Sequence, residues 1–569
     1  MNNFLPTTKK ELKERGIEQL DIIIVSGDVY IDTYYDGAAV IGRVLENAGF
    51  TVGIISQPDV SCERDITRLG EPRLFWGVSA GLVDSMVANY TSLLKKKRQD
   101  DLTPENYPHR RPDRATIIYT NLIKRYFKSN KPIILGGIEA SLRRIAHYDY
   151  WTDSIRRSVI FDAKADALIY GMGEKTIVEI AERIKHSESF NDVRGICYIA
   201  KEKKSNYLEL PSFEEVKKDK YKFIKMFHRF YENNDPLNAE GLYQKHGNRW
   251  LIQNPPQFYP TSKELDLIHT LPYQRDIHPY YAVFGKVRAL ETVRFSVNTH
   301  RGCYGECNFC SITVHQGRTI SSRSQSSILE EIKSMKKHPK FKGIVSDLGG
   351  PTANMFDNSC IKQMKTGSCK DKRCSYPEIC PAMRIDHSSQ VKLLQKARKI
   401  SGIRKIFIGS GVRYDLVIAD QKTGKEYFAE LVQHHISGQM KIAPEHTEDN
   451  VLKLMGKPYK KYLIQFKNNF YKYSKSAGKK QFLTYYFIAA HPACNMNDMN
   501  SLNAFIKNEL KLHPEQVQVF NPTPSTYSTL MYYTELDPWT HKKIFVEKKM
   551  RKKSEQKQII TGRKKKYKK

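Results

Sequence analysis

The strongest constraint on this chain's fold is a repeated unit: a short β-branched run, a glycine-bearing turn, then a segment of helical period. "DIIIVSG" (21–27) and "TVGIIS" (51–56) flank the helical "DGAAVIGRVLENAG" (36–49). "KPIILGG" (131–137) and "ADALIYGMGE" (165–174) lead to "KTIVEIAERIKH" (175–186). Strands separated by helices of this length pair in parallel, because the crossover must return the chain to the same edge. The unit recurs at 292–298, 343–350, 404–411, 439–446, 482–492 and 516–524. The expected fold is α/β, with a doubly wound, Rossmann-like domain at 1–215 and a connecting region at 216–285. A partial (β/α)6 barrel at 286–538 and a disordered basic tail at 539–569 complete the expectation.

Such folds bind ligands at the carboxyl ends of their strands. Gly136-Gly137 and Gly171-x-Gly173-Glu174 occupy those ends in the first series. They read equally well as ligand turns and as plain tight turns, since neither is a G-x-G-x-x-G fingerprint.

The formal charge is +32, and the end of the chain concentrates it. Residues 541–569 hold fourteen Lys or Arg against two Glu, a net of +12. A block of this kind reads as a solvated tail, or as a contact for a polyanion such as RNA through its phosphates. The opening "MNNFLPTTKKELKERG" has no apolar signal-peptide core, and no apolar run approaches the ~18 residues of a membrane span. The expected location is the cytoplasm, without membrane association. Disulfides are therefore not expected among the ten cysteines. Cys62, Cys197 and Cys494 stand alone and read as buried fillers.

The other seven cluster. "NTHRGCYGECNFCS" (298–311) places Cys303, Cys307 and Cys310 in one loop directly after the first barrel strand. A structural zinc site needs four protein ligands, which His300 or His315 would complete. A [4Fe–4S] cluster held by three thiolates keeps one iron open, and the spacing and barrel context favour this reading. Phe309 is placed to cover an adenine. The second group is "CIKQMKTGSCKDKRCSYPEIC", with Cys360, Cys369, Cys374 and Cys380. Four ligands suit a closed site, either zinc or a further cluster, with Lys365, Lys370, Lys372 and Arg373 expected to favour the thiolates.

The Cys303-x3-Cys307-x2-Cys310 spacing resembles the cluster motif of radical S-adenosylmethionine (radical SAM) enzymes. "SDLGGPTANMF" (346–356), "IFIGSGVRYDL" (406–416), "KIAPEHTEDNVLKLMGKP" (441–458) and "VQVFNPTPSTYSTLMYYT" (517–534) resemble the YgiQ family of that superfamily. So do "GDVYID", "VGIISQPD" and "GGIEASLRRIAHYDYW" in the first half. The resemblance implies an enzyme that cleaves S-adenosylmethionine to a 5′-deoxyadenosyl radical, reduced by a donor such as flavodoxin or ferredoxin. It implies that Gly349, Gly350 and Pro351 contact the amino group of S-adenosylmethionine, and places Glu445 where a carboxylate meets ribose; Glu445 also reads as a helix cap. Two departures stand out. Ala493 and Cys494 replace the glycine expected after His491-Pro492. Tyr34 in "DTYYDG" (32–37) stands where a cobalamin-binding D-x-H-x-x-G motif has its histidine, so cobalamin remains a candidate without His ligation. The rival readings are a zinc-stabilised RNA-binding module and an iron–sulfur electron carrier; the substrate is open.

Overall fold

The structure is a computed structural model describing residues 3–107, 110–128, 131–514 and 516–562. It divides into two compact units: residues 1–294 with 314–316, and residues 295–313 with 317–569.

The first unit is built on one nine-stranded sheet. Its strands are β1 (Ile22–Ser26), β2 (Val52–Ser56), β3 (Phe75–Ser79), β4 (Ile133–Gly136), β5 (Ala167–Ile169), β6 (Ile196–Ala200), β7 (Leu208–Leu210), β8 (Leu242–His246) and β9 (Arg249–Gln253). The order is β2-β1-β3-β4-β5-β6-β9-β8-β7. The first five strands are mutually parallel, with Ile22 opposite both Val52 and Phe75. All five β1 residues are buried, as expected of a strand covered by helices on both faces. The helix Gly37–Asn47 packs on β1 and β2, and the Asp36 carboxylate caps it by accepting the Ala38 N–H at 3.0 Å.

The expected connecting region is part of this sheet. β8 and β9 form an antiparallel hairpin turned at Gly247, whose φ of 62° suits glycine, and β9 pairs with β6. "LYQKH" and "RWLIQ" carry few of the β-branched residues that marked the earlier strands, so their pairing was decided by the open edge of β6.

The second unit is a run of parallel strands in chain order: β10 (Ser296–Asn298), β11 (Ile344–Val345), β12 (Asp347–Gly349), β13 (Lys405–Ile406), β14 (Gln439–Glu445), β15 (Phe482–Ala489) and β16 (Gln516–Val519). β10 pairs with β12, β11 with β13, β14 with β15 and β15 with β16. Leu348 N–H donates to Phe407 O at 2.9 Å, and a Val412–Ile442 bridge continues the ladder to β14. This is the partial (β/α)6 barrel. Its first strand is shorter than expected, because Arg288–Val293 is helical. The core is aliphatic and aromatic, with Leu348, Ile406, Ile442, Phe466, Phe470 and Phe487 buried. No helix of the described residues is long and apolar enough to cross a membrane.

The basic tail departs most from expectation. Met550–Thr561 is a helix packed against β16 and the helix Met496–Phe505. Ile560 enters the barrel core, and the buried Gln556 side chain accepts the Ala490 N–H at 2.8 Å. Lys553, fully buried, donates to the Tyr532 hydroxyl at 2.8 Å. One inward stripe of Lys553, Gln556 and Ile560, spaced at three and four residues, covers the last strand while the other basic residues face outward. Residues 563–569 lie outside the described residues.

Candidate functional site

The cysteine loop leaves the end of β10 under tight local control. Thr299 bonds to the Gly349 carbonyl through its N–H at 2.7 Å and its hydroxyl at 3.0 Å, locking the loop to β12. His300–Arg301 then pairs antiparallel with Ser321–Ser322, closing the base of the loop. Gly302 takes φ 87°, and a Cβ there would lie 2.1 Å from the Thr319 carbonyl. Asn308 fastens the far side, with its N–H to Met455 O at 2.8 Å and its amide to Leu454 O at 2.9 Å.

The three thiols share one environment. Burial pushes the Cys310 thiol up to about 12, and the charges of Cys307 and Cys303 push the same way. Burial also raises Cys303, against the Thr352 hydroxyl 3.5 Å from its sulfur. The cation that answers them is Arg413. Its Nη1 lies 3.9 Å from Cys307 Sγ, while Nε and Nη2 are held by Asp415 at 2.8 and 2.5 Å. Gly305 has no room for a side chain, since a Cβ would stand 2.6 Å from that Nη1 and 3.2 Å from Cys303 Sγ. Among the described residues, no three Cys, His, Asp or Glu side chains are drawn in to single-ion spacing. The histidines considered for a zinc site each have one ring nitrogen engaged. His300 Nδ1 bonds to Thr299 Oγ1 at 2.8 Å, and His315 Nδ1 lies 3.2 Å from Ser141 Oγ.

Gly349, Gly350 and Pro351 follow β12. A Cβ on Gly350 would meet the His300 ring at 2.5 Å, so that position is glycine because an imidazole lies on it. The Gly349 carbonyl accepts both bonds from Thr299. His300 is buried and held neutral by burial, against a hydrogen bond to the Thr352 backbone, with its pKa at about 3.

Glu445 ends β14 with φ 67°, at a register shift between β14 and β15. Its carboxyl is pushed up to about 6 by burial, against the Lys457 cation, and its charge reaches Cys310. It does not cap the next helix, whose N-cap residue is Glu448. Left-handed backbone at non-glycine residues recurs here: Glu445 ends its strand, and Glu306, Ala490, Ala493 and Ser525 lie in the loops after barrel strands. Each costs on the order of 1–3 kcal/mol, and the same conformation occurs in the first unit, as at Gln57 directly after β2. Ala493, with φ 73°, keeps the left-handed turn that the missing glycine would have favoured.

Phe309 is half-buried and sets its ring edge-on to His491 at 6.3 Å. Cys494 is buried as expected, yet it is more than filler. Its sulfur lies 3.6 Å from both His446 Nε2 and Gln556 Oε1. The sequence reading missed Arg413, Asp415 and Thr352, because nothing in their local spacing ties them to a loop far away in the chain. Cys360, Cys374 and Cys380 pack in one apolar cluster with Cys303. Of the four basic residues expected around them, Lys365, Lys370 and Lys372 are exposed, and only Arg373 turns inward.

In the first unit, Tyr34 is packed against the rings of His269 at 4.5 Å and Tyr273 at 5.9 Å, with the Arg275 guanidinium over it at 5.3 Å. Asp32 of the same stretch is ion-paired with Arg43 at 2.5 Å, both fully buried. Gly136-Gly137 opens a short helix whose Glu139 carboxylate accepts from Ser85 and Thr116.

Comparison with known proteins is consistent with this geometry. Residues 4–296 match the family model described as Radical SAM N-terminal. A UPF0313 protein of Fusobacterium nucleatum is 55% identical over 563 residues, covering 99% of both chains. A UPF0313 protein of Thermotoga neapolitana is 46% identical over 565 residues, also covering 99% of both. Among solved structures, the radical S-adenosylmethionine methyltransferase TsrM from Kitasatospora setae, with cobalamin and a [4Fe–4S] cluster bound, aligns with TM-score 0.51 at 13% identity. That alignment covers 89% of this chain and 73% of TsrM. The cobalamin-dependent S-adenosylmethionine radical enzyme OxsB aligns with TM-score 0.51 at 13% identity, covering 92% of this chain and 57% of OxsB. At these identities the likeness is one of fold.

Proposed function

This chain belongs to the UPF0313 family and carries the radical SAM N-terminal domain, and from that premise we propose that Cys303, Cys307 and Cys310 hold a [4Fe–4S] cluster with one open iron. The protein is a radical S-adenosylmethionine enzyme. Bound there, the cluster supplies the electron that cleaves S-adenosylmethionine to a 5′-deoxyadenosyl radical. The observation that carries the assignment is the meeting of three thiols in one buried loop, under one guanidinium, at the end of the first barrel strand.

The chain's own residues do the binding and positioning. Arg413, held by Asp415, offsets the negative charge of three thiolates, which burial alone would disfavour. The Gly350 and Pro351 backbone meets the ammonium of the methionine moiety, and the Thr299–Gly349 bonds set the height of that turn. Glu445, held in a strained backbone within charge reach of Cys310, presents its carboxylate to the ribose hydroxyls. Phe309 contributes an apolar wall for the adenine. A low-potential donor such as flavodoxin or ferredoxin supplies the electron. Tyr34 does not fit a cobalt ligand, being packed among aromatic rings, so cobalamin would bind without a ligand from this position.

The test is anaerobic reconstitution with iron and sulfide, reduction, and addition of S-adenosylmethionine. The expected product is 5′-deoxyadenosine, abolished by Cys307→Ala. A colourless protein with stoichiometric zinc at this loop would overturn the reading.

A further inference from the structure

The remaining four clustered cysteines sit on an excursion between β12 and the helix Ser388–Arg398. Cys360 is the residue before the short helix Ile361–Thr366, and Cys369 follows the turn at Gly367. The Cys380 N–H donates to the Cys374 carbonyl at 2.9 Å, folding those two together. Cys360, Cys374 and Cys380 pack with Tyr304, Met355 and Leu416 in the apolar cluster that also contains Cys303. Cys369 joins them through Arg318, whose Nη1 donates to the Cys369 carbonyl at 3.3 Å and to Glu306 Oε1 at 3.2 Å. Burial pushes the Cys374 thiol up to about 12, with Glu306, Cys360, Cys369 and Cys380 all pushing the same way. A stretch of 21 residues thus brings all three other sulfurs within charge reach of Cys374.

A second observation points to an occupant. Tyr304 is 1% exposed, and its hydroxyl has no hydrogen-bond partner among the described residues. The same phenol is within charge reach of both Cys303 and Cys374. A buried hydroxyl left without an acceptor costs about 1–3 kcal/mol. A metal-bound thiolate or an inorganic sulfide on either side would accept a hydrogen bond from it.

We propose that Cys360, Cys369, Cys374 and Cys380 hold a second iron–sulfur cluster, fully ligated by protein, next to the three-cysteine loop. Four thiolates leave no iron open, so this centre has no substrate position. The other three sulfurs all lie within charge reach of Cys374, so the four thiols gather around one centre. Assembly displaces the thiol protons, and Arg318 and Arg373, both anchored on Glu306, offset the thiolate charge.

The proposal stands apart from the function of the first loop, because each group is measured with the other removed. Full-length protein reconstituted anaerobically is expected to carry about eight irons per chain, as two four-iron clusters require. Replacing Cys303, Cys307 and Cys310 together with alanine should leave about four irons and the electron paramagnetic resonance signal of a reduced cluster. Should that variant fail to fold, Cys374→Ser with Cys380→Ser supplies the other arm: it should lose about four irons and keep the rest. Wild-type protein with only about four irons overturns the proposal. So does zinc in the three-alanine variant in place of iron, or a serine variant with the wild-type iron content.

Discussion

The two units follow the same αβ pattern and finish their strand ends in opposite ways. In the first, the ends are filled by the chain's own charges: Asp28 meets Arg111, Asp32 meets Arg43, and Asp84 meets Arg143, all buried. A Cβ on Gly81 would strike the Asp28 carboxylate, so even the turn is shaped around an internal ion pair. In the second, the ends hold two groups of clustered thiols, seven of the chain's ten cysteines, with the Tyr304 phenol buried beside both. Architecture alone therefore does not mark a ligand site. Ion pairs closed internally complete a fold, whereas clustered thiols without disulfide partners call for something the fold does not supply.

That contrast can be broken by experiment. The largest effect is expected at a first-unit ion pair. Arg111→Ala leaves Asp28 buried and uncompensated, and should cost about 3–5 kcal/mol in urea unfolding while iron bound per folded chain stays unchanged. Loss of iron in the folded fraction would mean that the two sets of strand ends are not independent. Next, Ile560→Ala should destabilise the second unit by about 2–5 kcal/mol, because it opens the barrel core. A wild-type melting temperature would return the basic segment to the status of a tail.

An acid titration distinguishes the first unit's closed charges from the second unit's thiols. Burial by itself would raise Glu11, but His278 at 3.0 Å, the Thr7 amide and the Thr8 hydroxyl outweigh it and hold the carboxyl at about 2. A carboxyl lowered by folding adds stability above its ordinary value of 4.5, and loses it as pH falls through about 2. Stability should therefore fall across that window, and Glu11→Gln should flatten the fall. An unchanged slope would sink the assignment. The smallest effect belongs to strain: Ala493→Gly should stabilise by about 1 kcal/mol, since glycine takes φ 73° without penalty. Destabilisation instead would show that the Ala493 methyl makes a contact worth more than the strain.

Much of this was legible before any coordinates. β-branched runs and helical periods identified the parallel sheets, because those signals are local and the buried strands are apolar on both faces. The spacing of Cys303, Cys307 and Cys310 identified the loop for the same reason, since three ligands in eight residues need no distant partner to be seen. The hairpin β8–β9 was not legible, because its polar strands owe their place to a neighbouring edge. Nor was the helix Met550–Thr561, whose inward stripe is mostly polar and becomes a core face only against β16.

The sequence by itself determined the class of fold, the strand ends that turn on glycine and the positions of seven clustered cysteines, all of which are properties of short segments. Only the tertiary structure decided what those positions mean. Arg413 reaches Cys307 across 106 residues, and Gly350 is glycine because the His300 ring lies upon it. Cys374 gains its neighbours from a loop that folds back on itself. Burial and charge act through space, over a few ångströms and without regard to chain order, so they become readable only once the chain has closed.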